Sequence, residues 1–255
     1  MLWTWAWGER GRGGWPGALA HLAAAPVVFI GLAGTAAAED GPPQFQAWSG
    51  VQAEQSSAFG YAGLVYAPFS GIMQDGLRLR AGGGQGHFTY TSTSSAPGLL
   101  EISHSGQVSQ AEILLGTQMT LGATTVKVYA GIVSTWRTVK PADPAVPSGQ
   151  VTGAKLVVET WSEIDDDWFA AVDGYWASQG PSQGVSARIG WRMLDWLAVG
   201  PEAGWTQDGA YQAGRLGAFA FIDSPAGEVT LNVGAIHQLD EATGIYAGAS
   251  LLTQF

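Results

Sequence analysis

The sequence contains no cysteine, and only 13% of its 255 residues are charged. Without cysteine no disulfide framework exists, so packing and hydrogen bonding alone must hold the chain. Little charge combined with 11% aromatic residues excludes a disordered polymer, which needs the opposite balance. Basic residues are scarce too. Eleven Lys and Arg stand against 21 Asp and Glu, a net charge of −10 with no basic block, and nucleic-acid binding requires cations to neutralise phosphates. Beyond residue 38 no apolar run approaches the about 20 residues of a membrane-spanning helix. What the chain does have is 37 Gly and 12 Trp. One Gly in every seven residues defeats a helical bundle, since each interior Gly costs about 1 kcal/mol relative to Ala. A strand-dominated protein remains.

The amino terminus reads as a leader. Arg10 and Arg12 precede an apolar stretch from Leu19 to Leu32, and Ala36-Ala37-Ala38 supplies a small-residue cleavage site before Glu39-Asp40. The stretch is too short for an anchor and is interrupted by Pro26 and Gly31. Residues 1–38 are therefore predicted to be a cleaved signal peptide and residues 39–255 an exported domain.

From Gln46 onward the hydrophobic period is two. Val126, Val128, Ala130 and Ile132 alternate with Lys127 and Gly131, and Val185, Ala187, Ile189, Trp191 and Met193 alternate with Ser186, Arg188, Gly190 and Arg192. Segmented this way, the exported part gives about twelve strands of about 9–15 residues, longer than globular strands and matched to a tilted bilayer crossing. Connections on one side are short: Ser70–Asp75, Gly122-Ala123, Glu163–Asp166, Asp195 and Ser224–Gly227. The other side carries Thr91–Ser105 and the proline-bearing Arg137–Gln150. Short periplasmic turns facing longer external loops, with an even strand count, predict an all-β, closed, antiparallel up-and-down transmembrane barrel of the outer-membrane type. A closed sheet also leaves no unpaired edge in hydrocarbon.

Aromatic placement agrees with this. Trp48, Trp161, Trp168, Trp191 and Trp196 fall near the periplasmic turns; Trp136, Trp176 and Trp205 fall at the external ends with Tyr61, Tyr90, Tyr211 and Tyr246. Two interfacial girdles are expected. The strand face opposite the apolar one collects Glu54, Arg78, Arg80, Glu112, Lys127, Lys155, Glu159, Asp173, Arg188, Arg192 and Glu202, nearly balanced in charge. Such a lumen is either a polar conduit or a core zipped by ion pairs.

Chemistry-bearing constellations are thin, and no enzyme, cofactor or metal is expected. His87, His104 and His237 lie far apart, and His104 beside Ser103 and Ser105 is adjacency without triad geometry. Asp165-Asp166-Asp167 offers hard oxygens but lacks the Gly and distal Glu of a calcium loop. Gly82-Gly83-Gly84-Gln85-Gly86 has no Lys-Ser/Thr after it, and reads as strand glycine at a bend or close approach.

The ordered set of segments Phe59–Ala67, Asp75–Gly84, Val128–Gly131, Ala187–Arg192, Val199–Ala203, Arg215–Phe219 and Gly227–Val229 resembles the bacterial cellulose biosynthesis protein BcsS family. The resemblance implies association with cellulose production and an outer-membrane-like barrel, and it brings no catalytic residues. Expected partners are outer-membrane lipid and either cellulose or the cellulose synthase complex. The principal expectation is a non-enzymatic accessory to cellulose synthesis or export. The alternatives are a general narrow pore or structural barrel unrelated to cellulose and, third, an outer-membrane hydrolase.

Overall fold

The computed structural model describes residues 41–255 apart from 94–100, 145, 147, 181, 210 and 239–242. The expected leader, 1–38, lies outside the described residues. The alternating segments form twelve strands: β1 (Phe45–Glu54), β2 (Ser57–Tyr66), β3 (Gly76–Thr93), β4 (Glu101–Leu121), β5 (Thr124–Lys140), β6 (Gly149–Glu163), β7 (Trp168–Ala177), β8 (Ser182–Leu194), β9 (Leu197–Asp208), β10 (Tyr211–Ser224), β11 (Gly227–Gln238) and β12 (Gly244–Gln254). Each pairs antiparallel with its chain neighbour, and β12 returns to β1, so the sheet is a closed barrel. Followed once around the pairings, a residue of β1 comes back displaced by about 14 positions, which tilts the strands by about 40° and sets a backbone diameter of roughly 23 Å.

Alternation sorts each strand into an inward and an outward face. On β4, Gln110, Glu112 and Leu114 are buried inside, while Ile113 and Leu115 are exposed outside. Ile132, Leu156, Val172, Ile189, Leu216, Val233 and Ile245 continue the exposed apolar surface round the ring. A belt of that extent is not covered by water in a stable monomer; hydrocarbon covers it, and the closed ladder leaves no edge unsatisfied there.

β3, β4 and β5 run to 18, 21 and 17 residues. At about 3.4 Å per residue and about 40° of tilt, β4 rises roughly 50 Å, twice the height of an apolar belt of about 25 Å. Its upper half therefore stands clear of the membrane, and the outward residues change accordingly from Ile113 and Leu115 to Ser103, Ser105 and Gln107. This corrects the expected loop Thr91–Ser105: strand pairing continues to Thr93 and resumes at Glu101.

One end of the barrel carries both described termini and is called here the terminal end; the other is the loop end. The terminal end holds three two-residue connections, 122–123, 195–196 and 225–226, and in the first Gly122 takes the positive φ of 62° that such a turn requires. Phe255 closes the ring at this end. Its carbonyl accepts from Phe45 N at 2.9 Å, its own N–H returns to Phe45 at 3.0 Å, and the rings of Tyr66, Phe45 and Phe255 stack in series.

The glycine run of β3 is explained by close approach. Phe59 of β2 lies across Gly84 and Gly86, and a Cβ at Gly86 would sit 2.5 Å from the ring. Inward Gly thus lets a neighbouring strand's aromatic side chain lie flat on the wall.

Candidate functional site

The site is built inside the barrel, where successive inward positions of adjacent strands meet. In the half walled by β3–β6, Glu112 is a hub. One oxygen accepts from Arg80 Nε at 3.0 Å and the other from Lys155 Nζ at 2.7 Å, and Arg80 also reaches Glu159 at 2.5 Å. Arg80 lies over the rings of Trp48 (4.9 Å) and Tyr129 (5.4 Å), and Lys155 over Tyr175 (5.2 Å). Arg80, Glu112 and Lys155 are all buried, so each charge has its compensation within the protein. This half of the lumen is zipped.

At the terminal end, Arg78 is inward and buried, but its partners are not acids. Its guanidinium bonds the carbonyls of Gly71, Ile72 and Gln74, folding the 67–75 connection inward so that Ala67 and Ile72 are buried beside Trp48 and Val65. In the same connection Asp75 accepts from Thr120 at 2.7 Å, which holds its carboxyl below the ordinary range. Arg192 sits at the rim and pairs with Glu163 at 2.7 Å, half-exposed. The acidic turn nearby is self-capping: Asp165 Oδ1 accepts the N–H groups of Asp167 (2.9 Å) and Trp168 (2.8 Å).

A second polar centre faces the first. Glu202 accepts from Arg188 (3.1 Å), Tyr246 (2.8 Å) and Asn232 (2.9 Å), and Arg215, whose facing the alternation left undecided, points inward over Tyr246 at 5.5 Å. Between the two centres lies a cavity of about 220 Å³. Lys127, Glu159, Asp173, Arg188 and Glu202 line it with Tyr61, Trp161 and Phe221. It reaches Gln46, Thr125 and Glu228, each one residue inside the terminal-end rim.

The loop end is filled differently. Phe59, Phe88, Tyr90, Val108, Val139 and Val146 form one buried apolar cluster and Tyr211, Ala213, Ile236 and Tyr246 another. Arg137 and Asp208 pair at 3.1 Å. His104 Nδ1 donates to the Pro141 carbonyl (2.9 Å), its Nε2 accepts from Ser92 (2.8 Å), and its ring stacks on Tyr90 at 4.7 Å. Tyr90 in turn bonds Asp143 at 2.8 Å, so residues 141–144 are drawn down over the β3–β5 wall. Alternation turns Ser103 and Ser105 to the opposite, exposed face, so the sequence neighbours of His104 do not meet its ring.

Of the expected girdle, Trp136, Trp176 and Trp205 are exposed on the outer face toward the loop end, and Trp168, Trp191 and Trp196 toward the terminal end. Trp168 and Trp191 stack across strands at 6.3 Å. Trp161 does not belong with them. It faces inward, stacked on Phe169 at 4.2 Å in a cluster with Phe219 and Phe221, because it shares the parity of Lys155 and Glu159 on β6. Trp48, Tyr61, Tyr90, Tyr211 and Tyr246 are likewise inward.

A family model described as cellulose biosynthesis protein BcsS matches residues 46–255, and the chain belongs to that family. The COG4313 outer membrane channel from Pseudomonas putida F1 shares the fold at a TM-score of 0.50 and 13% identity, covering 83% of this chain and 96% of that one. A KdgM porin aligns at a TM-score of 0.44 and 7% identity over 81% of this chain and 98% of its own, and outer membrane phospholipase A from Escherichia coli at 0.43 and 12% over 84% and 94%. No curated protein matches the chain.

Proposed function

We propose that this member of the BcsS family is exported through its leader to the outer membrane and acts there, without catalysis, as an accessory to cellulose biosynthesis that holds or guides glucan at the barrel lumen. The observation that carries the reading is the chamber between the two charged centres. Its walls combine aromatic faces with donors and acceptors, and its cations and carboxylates nearly balance, the surface a neutral polyhydroxylated chain needs. Family membership supplies the pathway, and the outer apolar belt supplies the location. By the usual orientation of such barrels the terminal end faces the periplasm, so glucan delivered from the synthase complex meets the chamber's rim first.

A non-catalytic role is supported by the work His104 already does. Both its ring nitrogens are engaged, and together with Tyr90 it pins a loop. The test is genetic: deleting the gene should lower dye-binding surface polysaccharide in a cellulose-producing host, and an unchanged cellulose yield sinks the reading. A narrow pore unrelated to cellulose would leave that yield untouched while giving steady ion-permeable steps in planar bilayers.

A further inference from the structure

We infer that the terminal-end chamber is a specific binding site for a short stretch of neutral β-linked glucan, about one sugar ring at a time, entered from the terminal-end rim. The inference rests on the cellulose reading for the identity of the ligand but on the chamber for everything else.

Size comes first. A cavity of about 220 Å³ holds about seven waters at about 30 Å³ each, comparable to one hexose with its hydroxyls and far below a porin's aqueous channel. Charge comes second. The wall holds three cations, Lys127, Arg188 and Arg215, and four carboxylates, Glu159, Asp173, Glu202 and Glu228, so its formal charges nearly cancel. An acidic polysaccharide would meet these four carboxylates, and Arg188 already pairs with Glu202 at 3.1 Å. Third, the wall is amphipathic in the way a pyranose is: Trp161 and Phe221 line it with apolar ring surface, while Asn232 and Arg188, each spending one N–H on Glu202, keep further N–H groups for hydroxyls.

The loop end explains why the site binds instead of merely conducting. Above the chamber the interior is occupied by the two apolar clusters and the Arg137–Asp208 pair, which offer a hydrated sugar no equivalent path.

The test is calorimetric titration of the full-length, detergent-solubilised barrel with cellohexaose, with maltohexaose and oligogalacturonate as controls. Cellohexaose should bind, oligogalacturonate should bind at least about tenfold more weakly, and Asn232→Leu or Trp161→Leu should each weaken cellohexaose by about tenfold or more. A heat-modifiable gel band identifies the folded barrel in every sample. Asn232→Leu, which removes one amide from the wall, keeps the test standing if Trp161→Leu fails to fold. Silence with cellohexaose from a folded barrel overturns the site, as does oligogalacturonate binding equally well or unchanged affinity in the folded variants. If deletion lowers cellulose yet the barrel does not bind cellohexaose, the site alone falls. Cellohexaose binding with no effect of deletion on cellulose upholds the site, and the biological role alone falls.

Discussion

Arg137 on β5 and Asp208 on β9 form an ion pair at 3.1 Å although three strands lie between them around the ring, so their side chains reach across the lumen at the loop end. Each is only 13% exposed. A strut in that position obstructs passage more than it stabilises, because a buried pair gains little over neutral groups of similar size. The double variant Arg137→Gln/Asp208→Asn is expected to fold with near-normal heat stability and to pass ions in planar bilayers more readily than the wild type, whose loop end is filled. Identical conductance in the two proteins would remove the strut from the path.

Glu112 is the reverse case, a single acid holding two buried cations. Glu112→Gln leaves the Lys155 ammonium and the Arg80 guanidinium short of their nearest charge, and breaking a buried pair costs about 3–5 kcal/mol. The temperature at which the folded gel band converts to the unfolded one should fall clearly. Combining Glu112→Leu with Lys155→Met should recover much of the loss, since Arg80 keeps Glu159. A single variant as heat-resistant as wild type would contradict the hub.

The alternation that made the fold legible also carried information about the site. Lys155, Glu159 and Trp161 share one parity on β6, so an inward Trp161 was written beside the charges, and the pull of a Trp near a turn obscured it. Trp48 stands in the same relation to Gln46, Gln52 and Glu54. Other features had no local signature. The displacement of about 14 positions around the ring is a property of twelve pairings together and decides which charges meet, so the union of Arg80 with Glu159, 79 residues away, is invisible in the sequence. The extension of β3 and β4 past the membrane has no sequence signature for a physical reason: with water outside, Ser103, Ser105 and Gln107 need not be apolar, and a hydroxyl-rich strand reads as a loop.

Phe59 across Gly84 and Gly86 gives a packing prediction. Gly86→Val would drive the ring off the wall and out of the cluster it shares with Phe88 and Tyr90, a loss of about 1–3 kcal/mol. Gly214→Ala is the control, because a Cβ there meets nothing within 4 Å and should be neutral or slightly stabilising. Equal heat stability of the two variants would refute the close-approach account.

His104 gives a prediction that separates scaffold from catalyst. His104→Ala removes the bonds to Ser92 and Pro141, so residues 141–144 should become more readily cut by protease added to intact cells, while surface cellulose stays at wild-type level. Loss of cellulose with the loop still protected would instead point to chemistry at the Ser92–His104 contact.

The height of β4 makes the membrane boundary testable on one strand. Ile113, 66% exposed, and Gln107 both face outward, six residues apart, and by the length of the strand only the first lies in the hydrocarbon belt. Ile113→Arg should cost about 2–4 kcal/mol, the penalty for a cation near the midplane of a barrel's lipid face, and should reduce the amount of heat-modifiable protein recovered from the outer-membrane fraction. Gln107→Arg should change neither, because the charge stays in water above the belt. If both variants assembled equally well, lipid would not be what covers Ile113; if both failed, the belt would extend up β4 as far as Gln107, and the upper strands would not project as a polar extension.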